Sequence, residues 1–124
     1  MNIPKNLKYS EDHEWVRVEG DEAIIGITDF AQSELGDVVF LELPIVGDEV
    51  AQGEAFGTVE AVKTVSDMLS PVSGEVIAVN ETLNDSPEDV NKDPYESWLV
   101  RVRMSDPSET DSLMDADAYE AFIG

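Results

Sequence analysis

Short runs of apolar and β-branched residues, separated by polar turns, occupy most of the chain. The runs at 13–19 and 22–27 flank Gly20 and Asp21, a pair that predicts a two-residue hairpin turn. Many short strands joined by closely spaced turns are typical of a β-sandwich or a flattened barrel. We therefore expect a mainly β fold with small helical additions. Further strand-like runs lie at 38–43, 54–62, 64–69, 74–80 and 97–104.

A helical period replaces the strand pattern after the run at 22–27. The segment TDFAQSELGD (28–37) predicts a short helix near 28–35. Thr28 or Asp29 can serve as its N-cap, and Gly36 stands just past its end. Residues within this segment should therefore define both the start and the end of the helix.

Two more helical segments are expected later in the chain. Ser86 as cap and Pro87 at the first helical position predict a single helical turn near 86–90. A C-terminal helix is expected near 112–123, starting close to Ser112. The residues that could form its docking face are Leu113, Tyr119, Phe122 and Ile123.

Length and composition narrow the protein class. The 124 residues suit one domain over 1–124, which can bury a core without metal or disulfide support. The absence of cysteine excludes disulfides and Cys-ligated zinc. No apolar run approaches the roughly 18 residues that span a bilayer, and the N-terminus resembles neither a secretory signal nor a transit peptide. We expect a cytoplasmic protein.

The chain is strongly acidic, with 28 acidic and 7 basic residues and a formal net charge of −21. The acids are dispersed among periodic apolar positions, and 42% of the residues are hydrophobic, which argues against disorder. Such a surface suits a salt-rich, halophilic cytoplasm, where a Debye length of about 3 Å at 1 M salt removes most self-repulsion. The charge argues against nucleic acid or an anionic membrane as a partner.

A search for catalytic and metal-binding patterns gives negative results. His13 and Glu14 begin like a helical zinc motif, but Arg17 stands where the second histidine is needed. The carboxylates at 115–122 lack the glycine and the further ligands of a calcium loop. No nucleophile elbow or phosphate-binding glycine loop is present. We expect His13 to be a strand-edge or hydrogen-bonded structural histidine, and we do not expect an enzyme.

Lys63 interrupts two β-favouring runs that pair plausibly as a hairpin. The chain has only four lysines, and the connection at 62–64 contains no glycine, asparagine, aspartate or proline. A turn without turn residues indicates selection for another property. A long amine at the apex of a rigid hairpin is what an acyl-carrying arm requires, although a solvated surface lysine explains the same residue.

Several blocks of sequence carry a specific resemblance. The stretch FGTVEAVKTVSDMLSPVSGEVIAVNE (56–81) resembles the lipoyl-lysine segment of the glycine cleavage system H proteins. The blocks LKYSEDHEWV (7–16), IGITDFAQSELGDVVFLELP (25–44) and VNKDPYESWLVRV (90–102) stand in the order and spacing typical of that family. The similarity extends over about residues 5–123, and the independent blocks agree in register.

The resemblance implies a lipoyl-domain-like barrel-sandwich hybrid with its hairpin core at about 38–80 and lipoate amide-linked to Lys63. It implies a non-catalytic carrier that shuttles the aminomethyl group of glycine. The implied partners are a glycine decarboxylase, an aminomethyltransferase, a dihydrolipoyl dehydrogenase and a lipoate ligase or lipoyl synthesis enzymes. We expect a monomer, because a carrier visits several enzymes. The sulfur chemistry would belong to the cofactor, which suits a chain without cysteine.

Carboxylates near the implied arm are given roles on the same basis. In this family the loaded arm folds back onto the protein, and a protonated amine on it needs a carboxylate partner. Glu14, within the block that matches the family pattern, is the first candidate, and Asp67 is the second. Glu60 and Asp67 flank the hairpin and are candidate recognition residues for the lipoylating enzyme. An ordinary solvated acid is the alternative for each of them.

Other carrier types remain open alternatives. Biotin carriers place a lysine at the same hairpin but typically have methionine on both sides, where this chain has Val62 and Thr64. Lipoyl domains of 2-oxo acid dehydrogenases lack the blocks at 13–16 and 26–37. An H-like protein that donates lipoate to other acceptors, or an unmodified interaction module, is a further alternative.

Overall fold

A computed structural model describes residues 1–124 and contains nine strands in two antiparallel sheets that do not close into a barrel. The larger sheet has the order β1-β2-β3-β9-β8-β5 and the smaller one β4-β6-β7. This architecture confirms the mainly β sandwich expected from the sequence. The strands are β1 Lys8–Tyr9, β2 Glu14–Glu19, β3 Glu22–Ile27, β4 Val38–Glu42, β5 Glu49–Val50, β6 Ala55–Ala61, β7 Val65–Leu69, β8 Gly74–Val79 and β9 Val100–Met104.

Two hydrophobic clusters hold the sheets and helices together. The larger contains 18 buried residues contributed by both sheets, among them Val16, Leu41 and Val102. The smaller contains six buried residues on the other face of the large sheet, and Trp15 and Tyr119 belong to it. Buried and more exposed residues alternate along β9, whereas Ala23, Ile24 and Ile25 of β3 are all buried because successive side chains enter the two clusters in turn.

The first hairpin and the first helix form as the sequence predicts. β2 and β3 pair directly across the turn at Gly20 and Asp21. Helix α1 covers Asp29–Leu35, and the Thr28 hydroxyl caps it by accepting a hydrogen bond from the Ala31 N–H at 3.1 Å. Gly36 ends the helix with a φ of 77°, a left-handed conformation that favours glycine.

A short helix is present near 86–90, as predicted, but it begins later. The chain forms α2 at Thr82–Asp85 and α3 at Asp89–Lys92, each with one buried apolar residue. Ser86 caps no helix with its side chain and ends α2, since its N–H donates to the Thr82 carbonyl. Pro87 disfavours helical backbone at the residue before it, which separates the two turns at Ser86.

The C-terminal helix begins later than predicted. Helix α4 covers Ala116–Ile123, and Pro107–Ser112 forms a separate 3-10 helix. Met114 cannot be helical, because its N–H and carbonyl both pair with the Tyr9 backbone at 2.8 Å. Asp115 then caps α4 by accepting from the Ala118 N–H.

The docking face predicted for this helix is partly confirmed. Tyr119 is fully buried, and Ile123 packs against the smaller cluster. Leu113 packs against the larger cluster but lies before the helix. Phe122 is 50% exposed, but its ring lies 5.9 Å from that of His13 between centroids, so it belongs to the docking face in part.

None of the helices combines the length and the hydropathy needed to cross a membrane. The single domain over residues 1–124 stays a prediction.

Candidate functional site

The β6–β7 hairpin presents Lys63 at its tip. The Ala61 N–H donates to the Thr64 carbonyl at 2.8 Å, and the Val62 N–H donates to the Asp37 carbonyl at 3.0 Å. His13 is the only non-glycine residue with a positive φ, so no residue of this turn adopts the left-handed conformation. The turn therefore needs none of the usual turn residues. The tip is held instead by the segment between α1 and β4, through the hydrogen bond from Val62 to Asp37.

The Lys63 side chain is exposed and makes no ion pair. It lies across Gly36 at the end of α1, where an added Cβ would stand 2.9 Å from the Lys63 Cε atom. Glycine at this position thus leaves room for the lysine stem to pass over the helix end. The amine is accessible to a modifying enzyme.

A groove of about 630 Å³ lies between α1 and the β6–β7 hairpin. Lys63 does not line it, but Leu35 and Ser66, which do, are close to Gly36 and Lys63 along the chain. Five carboxylate residues and no lysine or arginine line the groove, so its field favours a cation. The acids are Glu11, Asp12, Glu14, Glu34 and Asp67, and apolar lining side chains include Ile27, Phe30, Val59 and Met68.

Glu14 is the one buried acid among these, at 3% exposure. Its Oε1 accepts a hydrogen bond from the Ser10 hydroxyl at 2.8 Å, and no basic side chain forms an ion pair with it. Burial raises the pKa of Glu14 to about 8, with Asp12 adding to the effect and hydrogen bonds from Ser10 and the Leu69 backbone opposing it. The side chain is therefore largely a neutral acid at pH 7.

The other predicted site residues divide between two surfaces. Asp67 is exposed and lines the groove, so the structure brings it to the same groove as Glu14. Glu60 does not line the groove. It is exposed and lies between Phe40 and Val65 in the cross-strand register of the small sheet. Glu60 and Lys63 thus belong to the hairpin surface, and the two arm-docking candidates belong to the groove.

His13 is hydrogen-bonded, as expected, and it also lines the groove, which the sequence did not predict. Its Nδ1 lies 2.9 Å from the Tyr119 hydroxyl, and its ring centroid lies 4.7 Å from that of Phe30. Ser10, which holds Glu14, and Phe30 were also missed. The alternation of β2 was the available signal for Glu14, since it places Glu14 and Val16 on one face, and Val16 belongs to the core.

Comparisons with known proteins decide the family. A family model described as "Glycine cleavage H-protein" matches residues 7–124. The curated "Glycine cleavage system H protein" of Halalkalibacterium halodurans is 62% identical to this chain and that of Brevibacillus brevis is 60% identical. The alignments cover 98% and 99% of this chain and 96% and 98% of the relatives. This chain belongs to the glycine cleavage H-protein family.

Solved structures agree with this membership. The crystal structure of a glycine cleavage system H protein from Mycobacterium marinum is 39% identical, with a TM-score of 0.88 over 96% of this chain and 97% of that one. The family assignment establishes the function as lipoyl carrier of the glycine cleavage system. It also removes the biotin-carrier and 2-oxo acid dehydrogenase alternatives, because the family model extends over nearly the whole chain.

The residues around Lys63 fit a lipoyl group. An amide bond needs an accessible amine, and the Lys63 amine is exposed and unpaired. The lipoyl group has an apolar chain, and it carries a cationic amine when it is loaded. It therefore needs apolar contacts for the chain and a carboxylate for the amine. The adjoining groove supplies both, with Phe30 and Met68 on its walls and Glu14 buried within it.

The raised pKa of Glu14 gives a testable dependence of stability on pH. Between the ordinary value of 4.5 and about 8, the folded chain keeps a proton that the unfolded chain has released. The contribution of Glu14 to the free energy of unfolding therefore falls as pH rises through this window. Glutamine imitates the protonated acid and does not ionise, so Glu14→Gln should not show this fall in the free energy of unfolding. We expect the wild-type Tm, relative to that of Glu14→Gln, to fall by about 5 °C or more between about pH 5 and pH 9.

The matched control is Glu34→Gln, which removes an exposed carboxylate from the same groove. Its Tm should keep a constant offset from the wild type over the same pH range. A Tm difference between wild type and Glu14→Gln that does not change with pH would contradict the burial of an unpaired acid.

Proposed function

We propose that lipoate is amide-linked to Lys63 and forms a swinging arm that moves between the groove and the partner enzymes. The observation that carries this proposal is an exposed, unpaired lysine on an anchored hairpin beside a groove with a buried acid. Lipoate, when bound, would supply a dithiolane that is reduced as it takes up the aminomethyl group left by decarboxylation of glycine, and that remains on Lys63 as a dithiol after transfer until the dihydrolipoyl dehydrogenase reoxidises it. The protein supplies attachment, a binding groove and protection from water.

Glu14 is the proposed partner of the amine on the loaded arm. An unpaired buried carboxyl is costly to ionise, but a cation in contact with it repays much of that cost. An ammonium entering the groove would therefore favour release of the Glu14 proton and form a charge-assisted hydrogen bond with the carboxylate. Asp67 is the second proposed partner. It lines the same groove but is exposed, so water screens its charge more strongly.

The apolar lining of the groove would limit water access to the arm. Phe30 and Leu35 come from α1, and Val59 and Met68 come from the hairpin. Removing water also strengthens the pairing between an amine and Glu14, because a low local dielectric strengthens charge interactions.

Partner enzymes perform the chemistry in this proposal, and the chain is a non-catalytic, cytoplasmic monomer. Its partners are the glycine decarboxylase, the aminomethyltransferase and the dihydrolipoyl dehydrogenase, with a lipoate ligase or lipoyl synthesis enzymes for attachment. The strongest support for a carrying role is that the groove is lined by five carboxylate residues and by no lysine or arginine, which suits it to bind a cationic group on the arm.

The attachment site is tested by intact mass. Wild-type chain incubated with lipoate, ATP and a lipoate ligase should gain one lipoyl group, and Lys63→Arg should gain none while keeping the wild-type Tm. Arginine keeps the charge and the stem but cannot form the amide. The control is Lys92→Arg, a second exposed lysine, which should be lipoylated fully.

Both outcomes of that experiment are decisive for Lys63. A lipoyl addition that persists in Lys63→Arg would disprove the assignment. Reconstituted glycine decarboxylation with the lipoylated chain separates a carrier of aminomethyl groups from an H-like lipoate donor, because only the carrier supports exchange of the glycine carboxyl carbon with bicarbonate.

Glu60 is proposed as a recognition residue for the lipoylating enzyme, and Asp67 as a second one. Glu60 is exposed and flanked across the sheet by Phe40 and Val65, which are 49% and 63% exposed. Val62, beside the lysine, is 74% exposed. A carboxylate within an exposed apolar patch next to the modified lysine is suited to orienting an enzyme with a basic contact residue.

Replacing Glu60 tests this role. We expect Glu60→Ala to lower kcat/KM for lipoylation by about tenfold, because one charged contact at the docking surface is lost. Glu42→Ala is the matched control, since Glu42 is an exposed acid on the neighbouring strand β4 and should leave the rate unchanged. Equal rates for Glu60→Ala and wild type would remove Glu60 from the docking surface.

The net charge of −21 is proposed as an adaptation to a salt-rich, halophilic cytoplasm. Only five ion pairs offset it, and side chains on all of them are partly or largely exposed. Screening should relieve the remaining repulsion in the folded chain. We expect the Tm to rise steadily between about 0.1 M and 2 M KCl, with most of the gain below about 1 M. A Tm that is unchanged or lower in KCl would contradict this interpretation.

A further inference from the structure

His13 has an unusual backbone immediately before Glu14. It is the only non-glycine residue with a positive φ, at 67°. Its N–H donates to the Ser10 carbonyl at 3.1 Å, and its own carbonyl accepts from the Thr28 N–H at 3.1 Å. A left-handed residue here turns the chain sharply just before β2 begins. Because Glu14 is the next residue, the conformation of His13 decides which side of the chain the Glu14 carboxyl occupies.

A hydrogen-bonded bridge holds the His13 side chain in place. The Tyr119 hydroxyl lies 2.9 Å from His13 Nδ1 and 2.8 Å from Thr28 Oγ1. Thr28 Oγ1 in turn accepts from the Ala31 N–H as the cap of α1. Tyr119 is itself fixed by stacking on Tyr9, with ring centroids 4.6 Å apart. The bridge therefore joins the loop before β2, the start of α1 and the C-terminal helix.

Counting protons gives this bridge a direction. Thr28 is fully buried, and Tyr119 is the only acceptor within reach of its hydroxyl proton. Thr28 therefore donates to Tyr119, and Tyr119 donates to His13 Nδ1. His13 must then be neutral, with its proton on Nε2. The opposite direction would leave a buried hydroxyl proton without a partner.

We propose that His13 is a positioning residue: its bridge through Tyr119 to Thr28 locks the left-handed backbone at residue 13 and so holds the Glu14 carboxyl in the groove. The importance of this position for the arm rests on the function proposed above. Helix α4 contributes no lining residue to the groove, yet through Tyr119 it controls the placement of the one buried acid there.

The surroundings of His13 support the neutral form that the bridge requires. Burial lowers the pKa of His13 below its ordinary value, and the nearby carboxylates of Asp12 and Glu34 only partly oppose this. Phe30 and Phe122 cover the ring from two elements, with centroids 4.7 Å and 5.9 Å away. These contacts also explain why a half-exposed phenylalanine stands near the end of α4.

The test follows the titration of the Glu14 carboxyl carbon by NMR in the unmodified chain. Tyr119→Phe keeps the ring and removes the bridge, and His13→Ala removes the imidazole. Each should lower the Glu14 pKa by about one unit or more toward its ordinary value, because the carboxyl reaches water. His13→Asn should keep the wild-type value, since asparagine tolerates positive φ and its amide oxygen can accept from Tyr119.

Tyr9→Phe is the control, because it also removes a hydroxyl from a buried tyrosine, one that donates to the Pro4 carbonyl and not to His13. It should leave the Glu14 titration unchanged. A Glu14 pKa that is the same in wild type, Tyr119→Phe and His13→Ala would overturn the positioning role, even if both variants melt earlier. If His13→Ala does not fold, Tyr119→Phe decides alone.

The proton direction has its own readout. His13 is the only histidine, so its two ring nitrogens give unambiguous NMR signals. The neutral tautomer with Nε2–H is expected at pH 7, and a proton on Nδ1 would overturn the bridge as described. None of these measurements needs lipoate, so their failure would leave the attachment at Lys63 untouched.

Discussion

The groove is organised around a carboxyl group that is buried without a cation. Ionising Glu14 in this position is unfavourable, and burial raises its pKa to about 8. The folded chain keeps Glu14 in this unfavourable position because β2 pairs along its whole length with β3, which fixes Glu14 opposite Ile27. A protein that only needed stability would be better served by an apolar residue there. The unpaired acid is explained if its partner arrives from elsewhere.

The remaining parts of the site suit the proposed delivery of that partner from Lys63. The tip of the β6–β7 hairpin at 62–64, anchored by the Asp37 carbonyl, holds Lys63 away from the core. Helix α1 forms the opposite wall of the groove, and Gly36 at its end leaves space for the Lys63 stem. Rigid strands and a capped helix keep the distance between attachment point and groove constant, which favours reproducible docking of a tethered group.

Local patterns predicted seven of the nine strands, α1 and the hairpin with Lys63, because alternation, caps and missing turn residues are encoded by neighbours in sequence; the two-residue strands β1 and β5 were not predicted. The start of α4 was missed because Met114 pairs with Tyr9 in a contact that no local pattern encodes. The contact between His13 and Tyr119 was missed for the same reason, since it joins residues 106 positions apart in sequence. The family resemblance pointed to Glu14 as a candidate. Only the fold shows that burial distinguishes it from the other 27 of the 28 acidic residues.

We propose that Glu14 stays unpaired until the loaded arm brings a cation to it. The most direct test is a titration of the Glu14 carboxyl carbon in the lipoylated chain, before and after loading with the aminomethyl group. We expect a Glu14 pKa of about 8 before loading. After loading we expect a pKa below the ordinary value of 4.5, because the ammonium favours the carboxylate. An unchanged Glu14 pKa on loading would show that Glu14 does not pair with the amine of the arm.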